Sequence, residues 1–315
     1  MNNVIVTGGA GYLGSILVPI LLDRGYCVTV VDNFQHGVPS LSAVCRDKNL
    51  TILNFDARDF NKLSSVLVSA QIVIPLAAVV GAPACDRDMN KAYTTNEIAI
   101  QNLISGLDTL DYYPTVIFPN SNSGYGTTSS DVVCSEETPF NPISLYGKTK
   151  ANAERHVLKY KHGVSLRFAT LFGASPRMRL DLLVNDFVYR AVTDKALTLF
   201  EGHFRRNYLH VRDAVRAILF VIEHKERMWQ QTYNVGDTQA NMTKRALCAK
   251  IANHIPGFSI HAAAIGKDSD QRDYTVSNAK IEALGWFPKE TVDNGIIELI
   301  KCYQQPFFSF MNRNA

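Results

Sequence analysis

Tyr146 and Lys150 stand four residues apart in Tyr146-Gly147-Lys148-Thr149-Lys150, a segment whose pattern starts a helix. On a helix that spacing turns both side chains to one face and sends Lys148 almost the opposite way. A phenol with an ordinary pKa of about 10 is a poor base at neutral pH, and bringing it near 7 takes roughly 4 kcal/mol of preferential stabilisation of the phenolate. An ammonium about 4 Å away contributes on that order at an effective dielectric constant near 20, so the pair is sufficient to take a proton from an alcohol. Upstream, Ser121 lies in Phe118-Pro119-Asn120-Ser121-Asn122-Ser123-Gly124-Tyr125-Gly126, where a hydroxyl is suited to share a substrate's proton with that phenolate. The competing readings are a surface Tyr and Lys at helical spacing and an ordinary Ser/Asn/Gly turn.

A second group of residues points to a nucleotide. Thr7-Gly8-Gly9-Ala10-Gly11-Tyr12-Leu13-Gly14 spaces Gly8, Gly11 and Gly14 as G-x-x-G-x-x-G between a β-branched run and a helix. Glycines there let the backbone turn tightly, approach a pyrophosphate and present helix N-terminal amides to it, unless the turn merely requires positive φ. Asp32 ends the second strand, where a carboxylate accepts from both ribose hydroxyls and repels a 2′-phosphate, which favours NAD over NADP. Asp56, in Asp56-Ala57-Arg58-Asp59 after the third strand, is placed either to reach an adenine amino group or to cap a helix.

The elements that must position these groups follow from hydrophobic spacing. Short apolar runs at Val4–Thr7, Val28–Val31, Thr51–Asn54, Ile72–Pro75, Val116–Pro119 and Ser165–Phe168 alternate with helical patterns starting near Tyr12, Asp59, Asn90 and Ser144. That alternation predicts an α/β fold, a doubly wound parallel (Rossmann) sheet with a smaller C-terminal substrate-binding lobe. The expected division is an NAD-binding domain over 1–172, with the chain returning to it around 207–240 through a strand at Gln231–Val235, and a lobe built mainly from 173–315. Helices are expected at Leu182–Thr193, Val211–His224, Thr243–Ile255, Asn278–Leu284 and Val292–Cys302. The breaker-rich interval Asn120–Pro142 reads as a functional loop.

Composition narrows the classes further. The 315 residues are 46% hydrophobic and 19% charged, with a net charge of +3 and no basic run, which argues against nucleic acid as a partner. The apolar stretch Leu13–Leu22 contains Gly14, Ser15 and Pro19 and is too short for a membrane span, so no membrane partner is expected. Six cysteines without Cys-x-x-Cys or histidine at ligand spacing read as reduced thiols of a cytoplasmic protein, and no metal site is expected.

With the glycine turn, Asp32, Asp56, Ser121 and Tyr146-x-x-x-Lys150 in chain order, the sequence resembles the extended short-chain dehydrogenase/reductases, the NAD-dependent nucleotide-sugar epimerase/dehydratase family that includes UDP-glucose 4-epimerase. The resemblance covers nearly the whole chain. It implies Tyr146 as base, Lys150 as the residue that holds nicotinamide ribose and lowers the tyrosine pKa, and Ser121 as the group orienting the reacting hydroxyl. It also implies NAD contacts from Gly8, Gly11, Tyr12, Leu13, Gly14, Asp32, Asn33, Asp56, Ala57, Ala169 and Leu76-Ala77-Ala78, although Pro75 replaces the histidine usual before that segment. Asn96 matches an asparagine that supports the site, the alternative being a helix cap or solvent-facing amide.

Arg206-Asn207-Tyr208-Leu209-His210-Val211-Arg212-Asp213 is similar to the family's Arg-Asp-Tyr-Ile-His-Val-x-Asp, whose arginine binds the nucleotide diphosphate; Arg272 stands where a second diphosphate arginine falls. For Arg177, Arg179 and Arg205 an ion pair or surface charge competes with substrate contact, and His210 reads as an interior histidine. Within the family, the stretches Ile74–Pro83, Pro119–Gly126, Ser175–Asp186 and His203–Tyr208 resemble bacterial GDP-D-glycero-α-D-manno-heptose 4-dehydrogenases. That likeness implies a nucleotide-sugar substrate carried as GDP-heptose, with Ser121, Asn122, Ser123, Tyr146, Thr170, Arg179, Asn185, Arg206 and Arg272 around it. Thr170 replaces an asparagine of the epimerases, and Ser121-Asn122-Ser123 replaces the Thr-Asp-Glu of the 4,6-dehydratases. C4 oxidation of an NDP-sugar is therefore expected, with 4-epimerisation the alternative, dehydration ranked low, and a non-catalytic NAD sensor lower still. The family also implies a homodimer formed through the helices starting near Asn90 and Ser144.

Overall fold

In a computed structural model, which describes residues 2–129, 132–263 and 272–305, seven strands form one parallel sheet. They are β1 (Asn3–Thr7), β2 (Cys27–Asp32), β3 (Leu50–Asn54), β4 (Ile72–Pro75), β5 (Thr115–Ser121), β6 (Gly163–Phe168) and β7 (Gln231–Val235), in the spatial order β7-β6-β5-β4-β1-β2-β3. All six expected strands and the returning strand at Gln231–Val235 are present. Side chains alternate between two buried layers, as a pleated strand requires. Val4, Val6, Ile72, Ile74 and Ile117 join the core on one face, whereas Ile5, Val73, Val116 and Phe118 join the core on the other. Burial on both faces is why these runs are almost continuously apolar.

Helices α1 (Gly14–Asp23), α2 (Phe60–Leu67), α3 (Ala99–Leu107) and α4 (Leu145–Lys159) connect the strands. Leu63 and Leu67 of α2, Leu103 and Leu107 of α3 and Ala153 and Val157 of α4 cover one face, while Ile16, Leu17 and Leu21 of α1 cover the other. Two starts follow local chemistry. Ser144 Oγ accepts from Gly147 N at 3.1 Å and so caps α4 one residue before Leu145, fixing where Tyr146 leaves the helix. The helix expected near Asn90 is interrupted: Ala82–Arg87 and Met89–Tyr93 are short pieces, the second capped by Asp88, and a π turn over Thr94–Ile98 precedes α3.

After β6 the chain builds α5 (Leu183–Thr193), α6 (Val211–His224), α7 (Lys244–His254) and α8 (Val292–Tyr303). Ala214, Val215, Ile218 and Ile222 of α6 lie in the α1-side core, as their spacing predicts. Of the expected Asn278–Leu284 helix only Ala279–Glu282 forms. Short strand pairs bind this region to the sheet end: Thr170–Phe172 with Tyr208–His210 and Val133–Cys134 with Thr275–Val276. The α8 helix is fastened to the loop after β6. Glu298 Oε2 accepts from Ala174 N at 2.9 Å and lies 2.8 Å from His210 Nε2, Gly295 sits against Phe172 too closely for any side chain, and the Tyr303 hydroxyl donates to Asn185 O at 3.0 Å. Among the described residues no helix is long and apolar enough to cross a membrane.

Candidate active site

The strand order reverses at β1, whose two neighbours are β2 and β4, and the crevice beyond the carboxyl ends of such strands is where parallel sheets bind ligands. Gly8 occupies that point with φ +71°, and a Cβ on it would lie 2.6 Å from Ala77 N. A Cβ on Gly14 would lie 2.5 Å from Gly9 O, so the turn folds directly onto the start of α1. Beside it, Asp32 Oδ2 accepts from Ala10 N at 3.0 Å and Oδ1 from Phe34 N at 2.8 Å, which holds the carboxylate at the rim of the crevice. Asn33 reaches Asp56 at 3.4 Å, and Ala57 and Ala77 line one small cavity with Thr7 and Pro75. Hydrogen bonding to Arg58 chiefly holds the Asp56 carboxyl down at about 2, and the helix cap that follows is Asp59 rather than Asp56. A side-chain-free cradle, a helix N-terminus and a fixed carboxylate form the donor and acceptor set that a dinucleotide requires. Gly14→Val is expected to weaken NAD binding by at least about 100-fold, because even a Cβ must displace the turn. Titration calorimetry checks this, and near-native affinity would refute the cradle.

Asn96 lies in the π turn, an irregularity frequent at functional sites. Its Oδ1 accepts from Val79 N at 2.8 Å and its Nδ2 donates to Val79 O at 2.9 Å and toward Thr149 Oγ1 at 3.4 Å. It is therefore neither a cap nor a solvent-facing amide. It ties the segment after β4 to α4.

Tyr146, Lys150 and Ser121 are brought together where β5 ends against α4. The Tyr146 phenol, partly buried, is pushed above its ordinary value by burial, pulled back by Arg179, Arg272 and a hydrogen bond with Ser121, and raised further by the Cys85 thiol. Lys150 is 5% exposed; its Nζ donates to Pro119 O at 2.6 Å and sits 3.9 Å from the centre of the Phe118 ring. Burial pulls its ammonium down to about 7, against the Glu154 carboxylate, which acts to raise it. Arg179 and Arg272 are cations that lower the phenol, while Lys150 directs its nitrogen at the strand backbone.

Ser121 Oγ lies 2.7 Å from Ser123 Oγ and accepts from Ser123 N at 3.1 Å, and Arg272 donates to Ser123 Oγ. Arg179 is clamped by Asp181 through two bonds of 3.1 and 2.5 Å. Asn185 accepts from Gly173 N at 3.0 Å and donates to Arg179 O at 2.9 Å, so it holds the backbone that carries that arginine. Arg205 pairs with Asp273 at 3.3 Å, Arg177 is buried and donates to Met178 O, and Arg206 is 1% exposed with its guanidinium near the Tyr274 ring. Asn122 is fully buried, and its side-chain amide makes no hydrogen bond among the described residues. Thr170 N donates to Asn207 O at 3.0 Å and Ala169 N to Val235 O at 2.9 Å, placing both at the mouth of β6.

Sequence reasoning missed Glu154 and its partners. Glu154 is buried and accepts from Asn120 Nδ2 (2.6 Å), Ser165 Oγ (2.7 Å), Thr232 Oγ1 (3.2 Å) and Arg167 Nη2 (2.7 Å). Burial works against the carboxylate, but Arg167, Ser165 and Asn120 more than offset it and hold its pKa below the usual range. The available signal was its spacing, eight residues after Tyr146 and four after Lys150, on the same helix face.

Residues 4–236 match the model of the NAD dependent epimerase/dehydratase family. An uncharacterised UDP-glucose epimerase, YtcB, of Bacillus subtilis is 29% identical over 276 residues, covering 83% of this chain and 84% of its own. Among solved structures, dTDP-glucose 4,6-dehydratase of Bacillus anthracis in complex with NAD superposes with a TM-score of 0.83 at 23% identity, over 98% of both chains. UDP-glucose 4-epimerase of Thermus thermophilus in complex with NAD gives 0.81 at 24% identity, over 96% of this chain and 99% of that one.

Proposed function

The chain belongs to the NAD-dependent epimerase/dehydratase family of enzymes, and from that premise we propose that it oxidises the C4 carbinol of a nucleotide-linked sugar. The observation that carries this reading is the convergence of Tyr146, Ser121 and Lys150 beside the glycine crevice, with the Arg179 and Arg272 guanidinium groups acting on the phenol. Bound NAD supplies a hydride acceptor and a positive charge. Tyr146 Oη takes the hydroxyl proton as the carbinol becomes a ketone, and Ser121 Oγ shares that proton during transfer. Lys150 holds the nicotinamide ribose. Its ammonium, Arg179 and Arg272 all oppose the effect of burial, which otherwise keeps the phenol protonated. Gly8, Gly11, Gly14, Asp32, Asn33 and Asp56 seat the dinucleotide, and Arg206 and Arg272 are assigned to the diphosphate of the sugar nucleotide.

Dehydration is disfavoured because Asn122 and Ser123 provide no carboxyl acid or base beside the ketone. The first substrate to test is GDP-D-glycero-α-D-manno-heptose, on the likeness of four stretches to the 4-dehydrogenases of that sugar. The second reading is an NDP-hexose 4-epimerase, favoured by the UDP-glucose epimerase name of the Bacillus subtilis relative. Offering the purified enzyme UDP-, GDP- and dTDP-sugars and analysing products by mass and NMR separates the readings. Loss of two hydrogens from the GDP-heptose is expected. Unchanged mass with inverted C4 establishes the epimerase, and loss of water overturns both.

A further inference from the structure

Three consecutive residues at the end of β5 are each engaged by the face of α4 that carries Tyr146, Lys150 and Glu154. Pro119 O receives Lys150 Nζ at 2.6 Å, Asn120 Nδ2 donates to Glu154 Oε2 at 2.6 Å, and Ser121 lies beside the Tyr146 phenol and acts to lower its pKa. Strand alternation explains the middle contact. Asn120 shares a strand face with Phe118, whose ring lies in the core layer beneath α4. The other end of the same amide, Asn120 Oδ1, accepts from the backbone N of Ser121 at 2.8 Å. Asn120 is 4% exposed and belongs to neither the glycine crevice nor the arginine cluster.

We propose that Asn120, braced by Glu154, is a positioning residue that holds Ser121 in register with Tyr146. The brace is stiff because Glu154 is itself fixed by Ser165 and Arg167 of β6 at 2.7 Å each, Thr232 of β7 adding only a longer contact at 3.2 Å that the brace does not need. Arg167 continues the path to the Tyr125 hydroxyl at 2.9 Å, and Tyr125 donates to Asn234 Oδ1 at 2.7 Å. The Ser121 backbone is thereby referenced through one side-chain amide to two further strands, β6 and β7, and to the helix that carries the base. A hydroxyl that shares a proton in flight must sit within a few tenths of an ångström of its partner, and small displacements of reacting groups cost rate rather than affinity.

The proposal rests on the reading of Tyr146 and Ser121 as the reacting pair. The test assays variants with whichever of UDP-glucose, GDP-mannose and GDP-D-glycero-α-D-manno-heptose the native enzyme turns over fastest. Asn120→Ala is expected to lower kcat by about 30- to 300-fold while KM stays within about threefold and the NAD content is unchanged. Thr232→Val removes a different donor from the same carboxylate and is expected to keep kcat within about twofold of native. Should Asn120→Ala fail to fold, Asn120→Ser keeps a local bond to the Ser121 amide but cannot reach Glu154, and the same loss of kcat is expected. Native kcat in the folded Asn120 variant, or an equal loss in Thr232→Val, overturns the proposal. If Tyr146→Phe is inactive and Asn120→Ala is not, only the brace fails; if Tyr146→Phe is active, the underlying reading fails.

Discussion

Tyr146→Phe is expected to lower kcat by about 10³- to 10⁴-fold while leaving NAD bound, because it removes the only atom assigned to take the substrate proton. The ring remains, so the packing around Cys85 and Ser121 changes little and the thermal midpoint should move by only a few degrees. The fold-loss should grow as pH rises toward the pKa of the native phenol, because native turnover follows the phenolate fraction and the variant's does not. The assay is single-turnover formation of NADH with the best substrate of the panel, alongside the coenzyme content of the purified variant. Turnover within about tenfold of native would remove Tyr146 from its role. Loss of coenzyme together with activity would make the tyrosine a seat for the dinucleotide instead.

Lys150→Met should separate stability from activity. The folded Lys150 titrates at about 7 against an ordinary 10.5. Between those values the unfolded chain binds a proton that the folded chain does not, so native stability rises with pH across this window and is least below about pH 7. There the buried ammonium costs about 5 kcal/mol, net of its bond to Pro119 O and its contact with the Phe118 ring. Methionine keeps the length and removes the charge. The coenzyme-free variant is expected to gain stability over native at pH 6, with the gain shrinking as pH climbs from 7 to 10, while turnover falls about 100-fold or more. Denaturant unfolding at several pH values checks the sign. A difference that does not vary with pH would show that Lys150 keeps its charge throughout.

Much of this architecture is written locally. Runs such as Val4–Thr7 and Ile72–Pro75 are apolar on both faces and bounded by turn residues, so strand and sheet type follow from short windows. The glycine turn and Tyr146-x-x-x-Lys150 are equally local. What escaped depends on contacts distant in the chain. Glu154 looks like a solvated helix charge until β6 and β7 bring Arg167 and Thr232 beside it. The effect of Arg179 and Arg272 on a phenol at position 146 requires two loops to fold back over one helix, and no periodicity encodes that. The π turn at Thr94–Ile98 adds one residue to a helical repeat, which shifts the face without disturbing the apolar spacing that reveals a helix.

The attachment of α8 to the segment following β6 bears on how the protein is made. The seventh sheet strand ends at Val235, so the chain up to that point holds every strand of the sheet, well before α8 is reached. The stretch carrying Arg179 must wait for Glu298 and Tyr303 before Ala174 and Asn185 acquire their last partners. A chain ending near Pro288 lacks those partners, so it is expected to lose turnover before it loses the seven-stranded sheet.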